Sequence, residues 1–233
     1  MTTLTPDEWE AIRLSLRVSL WAVATSLPLA VLVAMILARA RFPGKSLFDA
    51  VVHLPLVLPP VVVGYLLLLL LGRQGPLGAW LEGTFGVVFA FRWTGAAVAA
   101  AVMGFPLMVR AIRLSIETID ARIESAAATL GANPVWVFAT VTLPLILPGV
   151  ITGVLLSFAR SLGEFGATIT FVSNIPGETR TLPIAIYTYT QVPGGDLQAL
   201  RLSVIAVALS IGALLVSELL VRRATARVAG RDA

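Results

Sequence analysis

Long apolar runs alternate with short polar stretches along the whole chain. Five runs, at approximately 14–38, 47–72, 93–110, 144–163 and 200–221, are each long enough to cross the roughly 30 Å of a bilayer's hydrocarbon core, which takes about 20 helical residues. The third carries no charge between Arg92 and Arg110, and the others hold few, chiefly Arg17, Asp49, Arg160, Arg201 and Glu218. Between the runs, Gly75–Phe91 carries Trp80, Phe85, Phe89 and Phe91 and predicts a re-entrant or interfacial helix, while 164–198 has room for two short half-spans. The pattern predicts an all-α integral membrane protein with at least five transmembrane helices, six if a short or re-entrant segment adds one. They form a single membrane domain over residues 1–233. The first run exceeds the apolar core of a cleavable signal peptide and no small-residue cleavage site follows, so it is expected to be retained.

Composition narrows the chemistry. Only 13% of the 233 residues are charged and 58% are apolar or aromatic, where soluble domains carry about 25% charged residues. The mean hydropathy of +0.91 agrees with a membrane protein. Without cysteine there is no disulfide, iron–sulfur cluster, zinc knuckle or thiol nucleophile, and His53 alone cannot make a two-histidine metal site. The net charge of +4 becomes informative once it is placed relative to the membrane. With the N-terminus outside and the C-terminus cytoplasmic, the inner segments 39–46, 110–143 and 222–233 hold ten Lys and Arg residues. The outer ones hold four (Arg13, Arg73, Arg92 and Arg180). That bias predicts a cytoplasmic loop between the third and fourth runs and a short basic cytoplasmic tail over 222–233.

The loop, Glu117–Pro144, is the most informative element. Asp120 is an N-cap candidate, and Arg122–Leu130 are good helix formers. Gly131 can supply the left-handed residue that ends a helix, and Asn133 caps a second helix with Pro134 in its first position. That helix is expected over Val135–Thr142 and to stop before Leu143 and Pro144, which open the next span. Ser125, Ala126, Ala127 and Ala128 make a surface of small side chains, whereas Trp136, Val137 and Phe138 are bulky and apolar. Two readings stand side by side: a helical hairpin lying on the membrane, or a surface that another protein approaches closely.

Here a family resemblance enters. Glu124, Ala126, Ala127 and Gly131, then nine residues, then Val141-Thr142-Leu143-Pro144, resemble the EAA loop of ABC importer permeases. The pattern departs at one position, where Ser125 precedes Ala126 and the glutamate sits one residue earlier, a shift that some members share. The stretches His53–Leu70, Met103–Leu114 and Arg160–Arg180 further resemble the membrane subunits of molybdate ABC transporters, and the similarity covers nearly the whole chain. Ser161–Ala167 is less selective, because sulfate and thiosulfate permeases resemble it too; those usually carry a longer N-terminal region.

The resemblance implies a type I ABC importer permease fold in a bacterial inner membrane. It implies a homodimer with two ABC ATPase subunits and an extracytoplasmic molybdate-binding protein, transporting molybdate and tungstate. The chain would be no enzyme and would carry no cofactor, ATP and Mg belonging to the ATPase. Glu124, Ser125, Ala126, Ala127, Gly131, Asn133, Pro134, Leu143 and Pro144 would form the ATPase-coupling surface. The outer-loop residues Glu178, Thr179, Arg180 and Thr181 would face the binding protein, with Arg180 an oxyanion-contact candidate.

The remaining candidates come from the spans. Pro55, Pro59, Pro60 and Gly64 in the second run and Pro106 in the third free backbone carbonyls, which a water-lined pathway would satisfy. The competing account is that proline and glycine are simply commoner in membrane helices. Arg160 and Glu164, four apart, are expected on one helix face. They either neutralise each other or belong to an outer gate in which Ser161, Gly163 and Gly166 let two copies pack closely. Acidic Glu164 would repel an oxyanion and is no substrate ligand. His53 reads as a satisfied polar residue before a proton carrier. An intramembrane enzyme would need an acid pair or a base–nucleophile pair that Asp49, His53, Arg160, Glu164 and Glu218 do not spell out. A passive channel, the other rival, predicts no ATPase partner.

Overall fold

The structure, a computed structural model, describes residues 4–120, 122–123 and 133–228. Its long helices are α1 (Pro6–Arg39), α5 (Trp93–Glu117), α6 (Pro134–Leu162) and α9 (Asp196–Val228), and all four are long and apolar enough to span a membrane. The expected second span is not one helix. It is a pair, α2 (Lys45–Val57) and α3 (Pro60–Leu71), bent by 113° at the break. The cause is local: Pro59 and Pro60 both lack an N–H, and a residue preceding proline is driven to extended conformations. Leu58 and Pro59 accordingly sit at ψ 142° and 133°. Pro106, by contrast, is absorbed within the unbroken 25-residue α5.

The doubtful segments form short helices: α4 (Pro76–Phe85), α7 (Gly166–Val172) and α8 (Leu182–Thr190). The last long helix runs on to Val228, so the basic tail begins as a continuation of the span.

The other departure from expectation is α6. No boundary separates the loop helix from the fourth span. The helix starts at the Asn133 cap and continues to Leu162 through a π-helical turn at Phe138–Thr142. Within that turn the Leu143 N–H donates to the Phe138 carbonyl, five residues back. The extra residue widens the turn just before Pro144, whose ring would otherwise clash with the carbonyl four residues earlier. Pro144 therefore does not break the rod.

Helices in a membrane gain little from hydrophobic association and pack instead through small residues. The α5–α6 seam follows that rule in antiparallel order. A Cβ added to Gly104 would overlap Ser157 Oγ and lie 3.1 Å from Ser157 O. One added to Gly153 would lie 3.0 Å from Met108 O, and one on Gly149 would overlap Ser115. Farther along, Ser161 Oγ donates to the Ala100 carbonyl at 3.3 Å. The α1 helix lies along the same pair. Leu37, Val33, Ile112, Ile116 and Ile146 are buried in one cluster, and Val18, Ala22, Ala96 and Met103 in another. A third cluster joins Ala11 and Ile12 of α1 to Leu182, Ala185 and Leu202.

Adding one methyl to the seam is therefore expected to cost about 1–3 kcal/mol, the range for overpacking. Gly104→Ala should lower the thermal unfolding midpoint in detergent, whereas Gly212→Ala, with open space around its Cβ, should not.

Candidate functional site

Three sets of residues sit where the long helices end. At the end of α6, Gly163 caps the helix and the chain turns through Glu164 and Phe165 into α7. Glu164 is 2% exposed. Its Oε1 accepts from the Ala167 N–H at 2.8 Å, capping α7, and its Oε2 lies 2.6 Å from Arg160 Nη1. Because α6 stops at Leu162, the Arg160–Glu164 pair bridges a helix end and does not share one helix face as expected. Arg160 remains half-buried, so the desolvated partner of the pair is the carboxylate.

The broken span closes over α7. A Cβ on Gly64 would meet the Ala167 carbonyl at 2.5 Å and Thr170 Cβ at 2.9 Å, and one on Gly166 would meet Pro60 Cβ at 2.8 Å. Pro60, Gly64, Glu164 and Gly166 are thus brought together. Of the small residues expected to let two copies pack closely, Gly166 faces Pro60 and Ser161 bonds Ala100 within this chain. Gly163 alone of that set is exposed. Pro55 lies apart, lining a groove against α1 and α5, Pro59 is exposed at the bend, and Pro106 is buried.

At the opposite end of α6, Asn133 Oδ1 accepts from the Trp136 N–H at 2.8 Å and Pro134 occupies the first helical position. Val135 and Trp136 are 77% and 63% exposed, an apolar knob with no cover among the described residues. Leu143 and Pro144 lie inside the continuous helix and are exposed. Glu124, Ser125, Ala126, Ala127 and Gly131 lie outside the described residues. Beside the knob's level, Arg113 on α5 bonds Asp49 Oδ1 of α2 at 3.1 Å and Glu117 Oε1 at 2.8 Å. His53 Nδ1 stands 3.1 Å from that same Asp49 Oδ1 and 2.9 Å from its carbonyl, so it is a satisfied polar residue. This tie between α2 and α5 was not anticipated, although Asp49/His53 and Arg113/Glu117 are both four apart and so share helix faces.

The outer loop differs from expectation in orientation. Thr179 and Thr181 are buried, at 0% and 3% exposure, and cannot themselves face a partner. The Thr179 hydroxyl closes its own turn, accepting from the Ile175 N–H and donating to the Ser173 carbonyl. Glu178 Oε1 accepts from the Trp93 N–H at 3.2 Å, at the start of α5, and Arg180 Nε donates to Asn174 Oδ1 at 2.8 Å. Both are half-buried. A further pair was missed: Glu8, fully buried, accepts from Arg201 Nη2 at 2.8 and 3.1 Å and from the Thr5 N–H at 2.7 Å. Its signal is the Thr-x-x-Glu capping box at Thr5–Glu8.

The site is therefore a set of neutralised ion pairs and close glycine contacts linked by one long helix. That arrangement holds the helices in position, and among the described residues of the set no cation is left wholly unpaired to bind an anion tightly. Residues 26–229 match the model of the family described as binding-protein-dependent transport system inner membrane component. The chain belongs to that family of ABC importer permeases. It is 61% identical over 228 residues, 98% of this chain and 99% of the relative, to the molybdenum transport system permease protein ModB of Escherichia coli K12. The ModB of Haemophilus influenzae is 58% identical over 93% of this chain and 94% of its own. The sulfate permease CysT of Escherichia coli is 41% identical, over 69% of this chain and 57% of its own. Among solved structures, a bacterial ABC transporter importing alginate matches with a TM-score of 0.75 at 18% identity, covering 94% of this chain and 80% of that one. The MetNI methionine transporter in an inward-facing conformation matches at 0.66 and 16%, covering 93% and 94%.

The asymmetric burial of the ion pair gives a directional expectation. Arg160→Met strands a buried carboxylate and should cost roughly 3 kcal/mol or more, whereas Glu164→Gln leaves only a half-exposed cation and should cost about 1 kcal/mol. The double variant should recover most of the loss. Thermal unfolding of the four proteins in detergent gives the order directly.

Proposed function

We propose that this chain is the membrane-spanning permease of an ABC importer that carries molybdate, and with it tungstate, across the bacterial inner membrane. The chain hydrolyses nothing itself. Two copies form the pathway, two ABC ATPase subunits bind the cytoplasmic loops, and an extracytoplasmic binding protein delivers the oxyanion. The substrate rests on identity to ModB proteins across nearly the full length of both chains. Sulfate is the second reading, favoured by the weaker and less complete similarity to CysT.

The mechanism rests on one observation, the continuity of α6 from the Asn133 cap to Leu162. ATP favours the state in which the two ATPases are closed, and a ligand shifts an equilibrium only through its differential affinity for the states. Closure displaces the loop 117–144 and the knob at Val135 and Trp136. A rod without a break carries that displacement across the membrane to Arg160, Glu164 and α7, where α3 is seated. The close seam obliges α5 to travel with α6. The charge bias sets the frame, with the N-terminus outside, the C-terminus and the loop in the cytoplasm, and residues 1–233 forming one domain.

Truncating an exposed aromatic that fills a partner's cleft typically costs 2 kcal/mol or more, about 30-fold in affinity. Trp136→Ala should therefore weaken co-purification with the ATPase by about that factor and lower molybdate uptake, with the permease still folded. Undiminished association and uptake would contradict the coupling role. Uptake through the assembled complex should be competed by excess molybdate and not by equal sulfate; the reverse would move the chain to the sulfate reading.

A further inference from the structure

The groove that Pro55 lines, of about 810 Å³, runs between α1, α2 and α5, apart from the ion pairs and the helix seam. Its walls are apolar along most of their length, formed by Leu29, Val52, Ala97, Ala101 and Phe105 among others. The volume is that of a ligand site, which typically spans about 300–1,000 Å³. A single charged side chain, Arg17, stands at one end. Its guanidinium carbon lies 3.7 Å from the centroid of Trp93, whose ring meets Trp21 edge-on at 6.2 Å. Stacking occupies the face of the guanidinium and leaves its in-plane N–H donors free. Arg17 is exposed and has no hydrogen-bond or ion-pair partner among the described residues.

The depth of this end can be read along the helices. At 1.5 Å per residue, Arg17 lies about 33 Å up α1 from Arg39, and Trp93 about 26 Å up α5 from Arg110. With Arg39 and Arg110 at one membrane surface, Arg17 and the two tryptophans sit at the other, where amphipathic rings and arginine concentrate. The groove below them lies within the hydrocarbon. Its occupant needs an anionic head at the interface and a long apolar body.

We propose that this groove binds one phospholipid of the outer leaflet, its phosphate held by Arg17 and an acyl chain lying between α1, α2 and α5. Charge separates this occupant from the others. A second copy packed on the groove would have to bring a carboxylate to the interface opposite Arg17, whereas a phospholipid brings its phosphate there by construction. An inorganic oxyanion would leave the apolar walls unfilled. The site asks only that the chain spans a membrane with its N-terminus outside, so it stands apart from the choice of transported solute.

The test uses the complete permease–ATPase complex in detergent, incubated with phosphatidylglycerol and weighed by native mass spectrometry. The wild type should retain one lipid per permease chain. Arg17→Gln should lower occupancy at fixed lipid by about tenfold, the loss of a charge-assisted contact. Ala101→Trp, which keeps Arg17 and fills the groove, should lower it as well. Assembly of both variants with the ATPase confirms that they are folded. Wild-type retention by both variants would overturn the proposal. So would displacement of the lipid by sodium molybdate, which would make Arg17 a substrate contact. Spontaneous disulfide linkage of two Ala101→Cys chains would overturn it too, by placing a second copy in the groove.

Discussion

Everything else in this molecule hangs on the close approach of α5 and α6. Gly104 against Ser157, Gly153 against Met108 and Gly149 against Ser115 let two helix backbones come within reach of each other over about 16 Å of α5, roughly half the membrane's hydrocarbon depth. In a solvent as apolar as the side chains, such contact and the hydrogen bond from Ser161 to the Ala100 carbonyl supply the adhesion that water would otherwise provide. The seam makes the pair a single body. The charged tie between Asp49, Arg113 and Glu117 fixes the lower half of the broken span to one end of that body. The contacts of Gly64 and Gly166 fix the upper half to the other end.

The two proline features then take opposite roles. Tandem Pro59 and Pro60 break a span and turn it through 113°, which frees α3 to follow α7 and leaves α2 with α5. Pro144 could have severed the coupling helix from α6, and the π turn at Phe138–Thr142 prevents it. One span is jointed and another is kept continuous, the two features on which the proposed mechanism draws. Buried charge is handled in the same spirit. Glu8 and Glu164 are each paired with an arginine and each accepts a backbone N–H at a helix start, so neither buried carboxylate is left uncompensated.

Much of this was legible in the sequence and the rest had physical reasons to stay hidden. Apolar runs and Lys/Arg bias suffice for spans because a bilayer imposes length and polarity on every segment. The Asn133–Pro134 cap is local chemistry and appears as expected. The continuity of α6 does not, since Leu143-Pro144 reads as a boundary unless the turn before it can shift by one residue. The intrachain partners of Gly166 and Ser161 could not be read from the sequence, because a small residue announces a close contact without saying with what. The outward orientation expected of Thr179 and Thr181 failed because their hydroxyls are needed inside a short turn. The Glu8–Arg201 pair joins residues far apart in the chain, which no spacing rule connects.

The central claim is that α5 and α6 move as one body during transport, and the absence of native cysteine allows a direct test. Met108→Cys with Gly153→Cys places two thiols across the seam, where an added Cβ at 153 lies 3.2 and 3.3 Å from Met108 Cα and Cγ. That spacing is compatible with a disulfide's Cβ separation of about 3.5–4.5 Å. Molybdate uptake by the reconstituted complex should be the same with the disulfide formed and reduced. Uptake abolished by oxidation and restored by reduction would mean that the helices slide past each other, and would contradict the account.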